Sequence, residues 1–194
     1  LVSASDFVPF AEEVGLIAAI DRWVIERSIR QAAAWAEEGI QAPRLQVNIS
    51  GRTASRWDLL ETIHEELNQA AVSPDRIELE ITERIAVQDT EILERLREEG
   101  IRLAIDDFGT GHSSLLSLRQ LEADTLKLDR RFTADITDDP RTVAITRGVL
   151  SIAAELGVEV IGEGVETEEQ RDRLAELGCT RVQGYLIARP LPRG

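Results

Sequence analysis

The sequence contains a single cysteine, Cys179, among its 194 residues, so no disulfide can form within the chain. A disulfide framework is therefore excluded, and we expect a reducing compartment. Long apolar runs are also missing, because no stretch approaches the ~18 residues that span a bilayer. Residues 1–10 lack the basic start and apolar core of a signal peptide. We expect a cytoplasmic domain without membrane contact of its own, although the parent protein can still be membrane-anchored.

Positive charge is scarce as well. There are 22 lysines and arginines against 36 aspartates and glutamates, which gives a formal net charge of −14. This balance argues against a domain that binds a nucleic-acid polymer through basic side chains. It does not exclude a small phosphate substrate, because bound divalent cations can reverse the local field. An acidic domain that takes a phosphate ligand would therefore need metal.

Short β-rich runs alternate with amphipathic helical stretches along the whole chain, which predicts βαβ units and a mainly parallel sheet. Glycines 39, 100, 157 and 178 each follow a helical stretch and predict its end. Two architectures compete, an open doubly wound sheet and a closed (β/α)8 barrel, and six strands alone would favour the open sheet. No linker or repeat stands out, so we predict one domain. The predicted strands are residues 44–50, 77–82, 102–107, 125–129, 158–164 and 181–185, and the clearest helices are residues 18–38, 57–71, 90–99, 140–156 and 168–177.

Polar residues lie near the carboxyl end of every predicted strand. Parallel strands are normally covered on both faces and read as apolar runs, yet here one face of nearly every strand is polar. A buried polar group without a partner costs roughly 2–7 kcal/mol, so the economical explanation is that these side chains meet at one site. A closed barrel gathers strand ends in this way and is favoured over the open sheet. The residues are Asn48, Glu80, Asp106 with Asp107, Lys127 with Asp129, Glu163, and Gln183.

Each of these residues also has a purely structural interpretation. Asn48 can bond neighbouring backbone, the Asp106–Asp107 pair can cap a turn, and Lys127 can belong to a structural ion pair. Glu163 stands between two glycines, which can mark only a tight strand exit. Such coincidences at every strand end are less expected than one shared site.

The residue types at the strand ends indicate a particular chemistry. They offer amide and carboxylate oxygens, whereas cysteine is absent from the set and the two histidines, His64 and His112, lie outside it. Oxygen ligands suit Mg²⁺ or Mn²⁺ better than zinc or copper. Adjacent carboxylates such as Asp106 and Asp107 can bridge two cations, and a two-metal centre is the usual device for in-line attack on a phosphodiester. Lys127 would orient a water molecule or stabilise phosphoryl charge.

An ordered series of motifs covers the chain from near Val2 to Pro192: FVPFAEEVGLI, VNIS, ELEITE, LAIDDFGTGHSS, TLKLDRRF, EGVETEEQ and QGYLIARPL. In order and spacing the series resembles the EAL family of cyclic di-GMP phosphodiesterases. The resemblance implies a TIM-like (β/α)8 barrel of the EAL type. It also implies hydrolysis of one phosphodiester bond of cyclic di-GMP, which gives linear pGpG, with two Mg²⁺ or Mn²⁺ ions in each active site.

The resemblance assigns metal ligands residue by residue. Asn48, Glu80 and Asp106 resemble ligands of the first metal, and Asp107 joins Asp106 around the second. Glu163 resembles the acidic residue that holds or activates the nucleophilic water, directly or through metal.

Further residues have matches as well. Lys127 resembles the lysine that contacts this water, and Gln183 matches a glutamine near the site of the family. We expect Asp129 and Gln183 to bind substrate or to support the residues that do.

The motif that follows the paired aspartates has a regulatory role in the family. Glu83 resembles the glutamate that anchors the loop of residues 107–114, which communicates between a dimer interface and the metals. The resemblance therefore implies a homodimer and a regulatory loop in which His112 replaces the usual aromatic residue. The loop residues that we single out are Phe108, Gly109, Thr110 and Gly111.

The Glu-Ala-Leu motif that names the family does not occur near the start of the sequence, and the chain contains no methionine. We expect residues 1–194 to be the C-terminal three-quarters of an EAL domain, preceded in the parent protein by the opening strand or strands of the barrel. Sensory or GGDEF domains are expected upstream. Two alternatives remain: a catalytically incomplete EAL-like module that binds cyclic di-GMP and signals through a partner, and an unrelated metal-dependent barrel lyase or hydrolase.

Overall fold

The computed structural model describes residues 2–41, 43–88, 90–109 and 123–190. Contacts divide the chain into two compact units, Leu1–Leu103 and Ala104–Gly194. In each unit parallel strands alternate with helices, so the predicted α/β class is confirmed. No helix in these described ranges is both long enough and apolar enough to cross a bilayer.

The first unit contains two paired strands and most of the helices. Strands β1 and β2 run parallel, with Leu45 opposite Ile77 and Asn48 opposite Glu80. A 3-10 turn, Pro74–Arg76, leads directly into β2. The elements are α1 (Ala4–Glu13), α2 (Ile17–Glu37), β1 (Leu45–Asn48), α3 (Gly51–Ala54), α4 (Trp57–Ala70), β2 (Ile77–Thr82), α5 (Glu83–Gln88) and α6 (Thr90–Glu98).

The core of the first unit is built from branched aliphatic side chains. Helix α2 buries residues at every fourth position, which places Ile17, Ile25 and Ile29 on one stripe. Strand β2 buries Leu79 and Ile81 completely or almost completely. Helix and strand therefore contribute their apolar faces to one interior, which is what the two periodicities in the sequence predict.

The second unit carries a parallel sheet in which β3, β4, β5 and β6 pair in chain order. Strand β3 starts at Arg102, and its pairing with β4 begins at Ala104. All four residues of β4 are buried. The elements are β3 (Arg102–Phe108), β4 (Thr125–Leu128), α7 (Arg130–Ala134), α8 (Pro140–Leu156), β5 (Glu159–Gly162), α9 (Glu168–Glu176) and β6 (Arg181–Val182).

Helix boundaries in the second unit have identifiable causes. Asp139 accepts hydrogen bonds from the backbone N–H groups of Arg141 and Thr142, and proline follows it at the first helical position of α8. Thr167 and Gln170 form a reciprocal capping box at the start of α9. Side-chain acceptors thus satisfy N–H groups that the helices themselves leave open.

The predicted helices agree with the observed ones to within one or two residues, and the four glycines predicted to end helices all have positive φ. Four of the six strands are shorter than predicted, whereas β2 has the predicted bounds and β3 extends one residue further, to Phe108. The strand predicted over residues 158–164 ends at Gly162, because Gly164 adopts φ +66°. The strand predicted over residues 181–185 ends at Val182, because Gly184 turns against the backbone of Val165.

Candidate active site

A β-bulge at the end of β3 brings two consecutive carboxylates together. Ile105 pairs with Leu126 and Phe108 pairs with Leu128, so Asp106 and Asp107 together oppose one residue of β4. Asp107 adopts the left-handed conformation at φ +54°, and its N–H donates to Asp106 Oδ1 at 3.0 Å. In a regular strand the two side chains would point to opposite faces. The bulge lets both contribute oxygen atoms to one cluster.

Lys127, the residue opposite the bulge, forms the positive centre of this cluster. Its side chain is almost fully buried, and its Nζ lies 2.8 Å from Glu163 Oε1 and 3.3 Å from Asp106 Oδ1. A buried ammonium requires negative partners to offset its lost hydration. Lys127 therefore holds the end of β3 and the end of β5 in a fixed relation to β4.

Glu163 follows β5 directly and completes a group of three carboxylates with Asp106 and Asp107, whose ligand oxygens all lie within 4.8 Å of one another. Burial raises the pKa of Glu163, and the negative charges of Asp106 and Asp107 act in the same direction, whereas Lys127 partly opposes the shift. Without a cation, Glu163 therefore binds a proton more strongly than an isolated glutamate does.

Asp107 has a raised pKa for similar reasons. Partial removal from water is the largest cause, followed by the negative charges of Asp106 and Asp129, while Lys127 and Arg131 counteract them. Carboxylates that repel one another in this way become stable when a divalent cation neutralises them. The donor set of this cluster thus fits a hard, oxygen-binding cation such as Mg²⁺ or Mn²⁺.

Asp129 behaves differently from its acidic neighbours. It caps α7, and its Oδ1 accepts hydrogen bonds from Arg131 N at 3.0 Å and from Arg131 Nε at 2.8 Å. Burial alone would raise the pKa of Asp129, but these hydrogen bonds and the charges of Arg131 and Arg130 outweigh it and lower the pKa. Asp129 is therefore an ionised anchor for arginine rather than a proton carrier.

A cavity of about 770 Å³ opens beside the carboxylates. Gln183 reaches it from the end of β6, where its N–H donates to Gly162 O at 2.8 Å and its carbonyl accepts from Val165 N at 3.1 Å. The cavity is large enough for a small ligand and combines both signs of charge. Its lining consists of Asp107, Asp129, Arg130, Arg131, Glu163, Gly164, Glu166, Gln183, Gly184 and Tyr185.

The two remaining predicted metal ligands form a pair in the first unit. Asn48 ends β1 and is exposed, whereas Glu80 lies beside it in the parallel register and is buried. The N–H of Ile49 donates to the carbonyl of Glu80 at 3.0 Å, which continues the pairing beyond the strand. The structure therefore places Asn48 and Glu80 side by side within this unit, and their role as metal ligands stays a prediction.

Only part of the predicted regulatory loop, residues 107–114, lies within the described residues. Glu83 begins α5 and is half-buried, Phe108 is buried at the end of β3, and Gly109 adopts φ +96°. A side chain at position 109 would collide with the ring of Phe132, so glycine is required there. Thr110 and Gly111 lie outside the described residues, and the anchoring role of Glu83 stays a prediction.

Sequence reasoning missed several residues of the site. Arg130, Arg131, Glu166 and Tyr185 line the cavity, and all four belong to the quoted motifs that resemble the family, so their position in those motifs was the available signal. The sequence also did not single out Asp21, a charged residue on the buried stripe of α2, where an apolar side chain is expected.

Known proteins resemble this chain over nearly its whole length. A family model for EAL domains matches residues 1–190. The bifunctional diguanylate cyclase/cyclic di-GMP phosphodiesterase MucR of Pseudomonas aeruginosa is 37% identical over 196 residues, which cover 99% of this chain and 29% of MucR. The cyclic di-GMP phosphodiesterase NbdA of the same species is 40% identical over 196 residues, which cover 99% of this chain and 25% of NbdA. This chain thus spans less than a third of the length of these relatives.

Solved structures agree with these sequence matches. The PaMucR phosphodiesterase in complex with c-di-GMP superimposes with a TM-score of 0.91 at 36% identity, covering 98% of this chain and 79% of that one. Klebsiella pneumoniae BlrP1, solved with calcium and cyclic di-GMP, gives a TM-score of 0.79 at 30% identity, covering 91% of this chain and 48% of that one. The predicted TIM-like fold of the EAL type, in partial form, is therefore confirmed, and the chain belongs to the EAL domain family.

Proposed function

We propose that this chain is the catalytic part of a cyclic di-GMP phosphodiesterase that hydrolyses one phosphodiester bond and releases pGpG. The observation that carries the proposal is the cluster in which Lys127 contacts Asp106 and Glu163 beside Asp107. The phosphodiesterase activity of MucR and NbdA and the c-di-GMP bound in PaMucR support cyclic di-GMP as the substrate.

We assign metal binding mainly to the carboxylates. Asp106, Asp107 and Glu163 supply clustered oxygens, and we assign Asn48 and Glu80 to the same function from their motifs. Two Mg²⁺ or Mn²⁺ ions in the complete site would neutralise phosphate charge and raise the acidity of water. The raised pKa of Glu163 and of Asp107 supports this assignment, because their repulsion is the charge that a cation would balance.

The reacting water needs one group that receives its proton and one that fixes its position. We assign proton acceptance to Glu163, because its carboxylate lies in the cluster with Asp106 and Asp107 and lines the cavity beside it. Lys127 Nζ, 2.8 Å from Glu163 Oε1, donates a hydrogen bond and keeps that carboxylate oriented. The water oxygen forms a bond to phosphorus, the phosphorus–3′-oxygen bond breaks, and the departing oxygen takes up a proton.

We propose that the substrate binds in the cavity beside the carboxylates. Asp129 and Gln183 line it, and we assign them to binding the substrate or to supporting the groups that do. Asp129 acts through Arg131, whose Nε it holds at 2.8 Å on the cavity rim. Arg131 and Arg130 there provide positive charge for a phosphate diester.

The remaining proposals concern context. We propose a homodimer whose loop 107–114, anchored by Glu83, communicates with the site. Upstream sensory or GGDEF domains are supported by the length of the relatives, of which this chain spans less than a third. We place the domain in the cytoplasm.

The test compares the protein that carries this chain with its Glu163→Gln variant. We expect Mg²⁺- or Mn²⁺-dependent conversion of cyclic di-GMP to pGpG by the wild type. The variant is expected to bind cyclic di-GMP but to turn it over at least about 100-fold more slowly. Binding by the wild type without turnover would favour instead the alternative of an EAL-like module that binds cyclic di-GMP and signals through a partner.

A further inference from the structure

Asp21 is a charged residue in the buried stripe of helix α2. The stripe consists of Ile17, Asp21, Ile25 and Ile29, and the aspartate is only 6% exposed. A carboxylate at such a position loses its hydration and therefore needs strong hydrogen-bond donors.

Those partners come from the turn that follows β1. Asp21 Oδ2 accepts hydrogen bonds from Ser50 N at 2.9 Å, from Ser50 Oγ at 2.6 Å and from Thr53 Oγ1 at 2.6 Å. Hydrogen bonds to an ionised acceptor are roughly twice as strong as neutral ones. One oxygen atom thus fixes both the N-cap residue of α3 and a buried threonine inside it.

The fixed turn starts two residues after Asn48. Asn48 lies opposite Glu80 in the β1–β2 register, and Ile49 N donates to Glu80 O at 3.0 Å. The chain between Asn48 and Ser50 is therefore tied at one end to β2 and at the other to Asp21. Removing the second tie would loosen the backbone at Ser50, two residues after Asn48, whereas the bond between Ile49 and β2 would remain.

We propose that Asp21 is a positioning residue that holds Asn48, next to Glu80, in the orientation that binds a divalent cation. This inference rests on the proposed function, in which Asn48 and Glu80 are metal ligands. Residues that support metal ligands by hydrogen bonds typically change metal affinity by roughly 10–100-fold when they are removed. Asp21 differs from such a residue in acting through the backbone of Ser50 rather than on the ligand side chain.

The experiment measures Mg²⁺ affinity by calorimetric titration and by the rise in melting temperature, in the protein that carries this chain. We expect Asp21→Ala to weaken Mg²⁺ binding about 10-fold or more. Asp21→Asn keeps an acceptor oxygen, so its Mg²⁺ affinity should lie between that of the wild type and that of Asp21→Ala. Thr53→Ala removes one of the three donors, should weaken binding less than Asp21→Ala, and serves as the test if Asp21→Ala fails to fold.

A matched control is Glu78→Gln. Glu78 is also buried and lies on β2, but near its start, where its partners include Gln46 Nε2 at 2.8 Å, Arg44 Nη1 at 3.6 Å and Arg102 Nε at 3.5 Å. Its loss should lower the melting temperature and leave the Mg²⁺ affinity of the folded protein unchanged. A general loss of stability is thereby separated from a loss of positioning.

A double-mutant cycle with Asn48→Ala decides whether Asp21 acts through Asn48. We expect Asp21→Ala to have no further effect on Mg²⁺ affinity once Asn48 is alanine. Asp21 variants that lose melting temperature but keep wild-type Mg²⁺ affinity, or effects that add in full, would overturn the inference. A wild type that binds no divalent cation would instead overturn the proposed function, so the two failures are distinguishable.

Discussion

Lys127 Nζ lies 2.8 Å from Glu163 Oε1, and this ion pair connects the buried lysine of β4 to the first residue after β5. The ammonium also lies 3.3 Å from Asp106 Oδ1. One positive charge therefore serves a cluster of three carboxylates. The cluster therefore has an excess of negative charge that a bound divalent cation would balance.

Replacing Lys127 with methionine keeps the volume of the side chain and removes its charge. We expect cyclic di-GMP hydrolysis to fall at least about 100-fold, because Glu163 loses the donor that orients it. Steady-state kinetics at saturating Mg²⁺ provide the measurement. Arg181→Met is the control, since it breaks an exposed ion pair with Glu159 and should cost no more than about 1 kcal/mol of stability. Equal activity of Lys127→Met and the wild type would remove lysine from the proposed chemistry.

Stabilisation by Mg²⁺ should depend on pH in a defined direction. The pKa values of Glu163 and Asp107 are raised in the folded protein, so without metal both carboxyls keep their protons where the unfolded chain has released them. Their contribution to the stability of the metal-free protein is therefore present below the unfolded pKa and is lost as pH rises through the folded pKa. A cation requires the deprotonated form and offsets this loss.

The increase in melting temperature caused by Mg²⁺ should accordingly be small at about pH 5 and grow toward about pH 8. Thermal melts with and without Mg²⁺ across this range check it. The double variant Glu163→Gln with Asp107→Asn removes the two titrating groups and should flatten the profile. An increase that is largest under acidic conditions would contradict the assignment of these carboxylates.

The bulge at the end of β3 should show a conflict between stability and function. Asp107 adopts φ +54°, a conformation that costs a residue with a side chain about 1 kcal/mol relative to glycine. Asp107→Gly should therefore raise the free energy of unfolding of the metal-free protein by roughly 1 kcal/mol while weakening Mg²⁺ binding. Chemical denaturation and Mg²⁺ titration of the same samples measure both effects. Asp107→Asn is the comparison, because it removes the charge but keeps a side chain. If Asp107→Gly lowers the free energy of unfolding, the backbone conformation of residue 107 does not destabilise the metal-free protein.

Helix α4 ends without the glycine that its geometry favours. Ala71 follows the helix at φ 52° and ψ 38°, in the left-handed region. Ala71→Gly should raise the free energy of unfolding by about 1 kcal/mol. Gly157 occupies the equivalent position after α8 at φ +72°, and a Cβ there would meet nothing within 4 Å. Gly157→Ala should therefore lower the free energy of unfolding by a similar amount. Changes of the same sign in Ala71→Gly and Gly157→Ala would show that backbone conformation is not the cause.

The sequence was most informative where a local pattern has a single structural meaning. Glycines 39, 100, 157 and 178 predicted helix ends, and each has positive φ. Lys127 and Glu163 were predicted to meet because parallel strands bring their carboxyl ends to one edge, and the structure places them in contact.

The sequence was least informative where geometry depends on distant residues. Alternation along β3 would send Asp106 and Asp107 to opposite faces, and only the bulge against β4 brings them together. Glu78 shares a face of β2 with Glu80, yet its charge is matched by Arg44 and Arg102, which no local pattern indicates. Such pairings become visible only when the packing of separate segments is known.

The most direct test of the central claim is hydrolysis of cyclic di-GMP in water enriched in oxygen-18, with Mg²⁺ present, by the protein that carries this chain. We expect pGpG with one labelled oxygen in its terminal phosphate, because the oxygen of water attacks phosphorus. Formation of pGpG should stop when Mg²⁺ is chelated, and its rate should fall at least about 100-fold in Glu163→Gln. Product without the label, or product formed equally well without Mg²⁺ and by Glu163→Gln, would contradict the account.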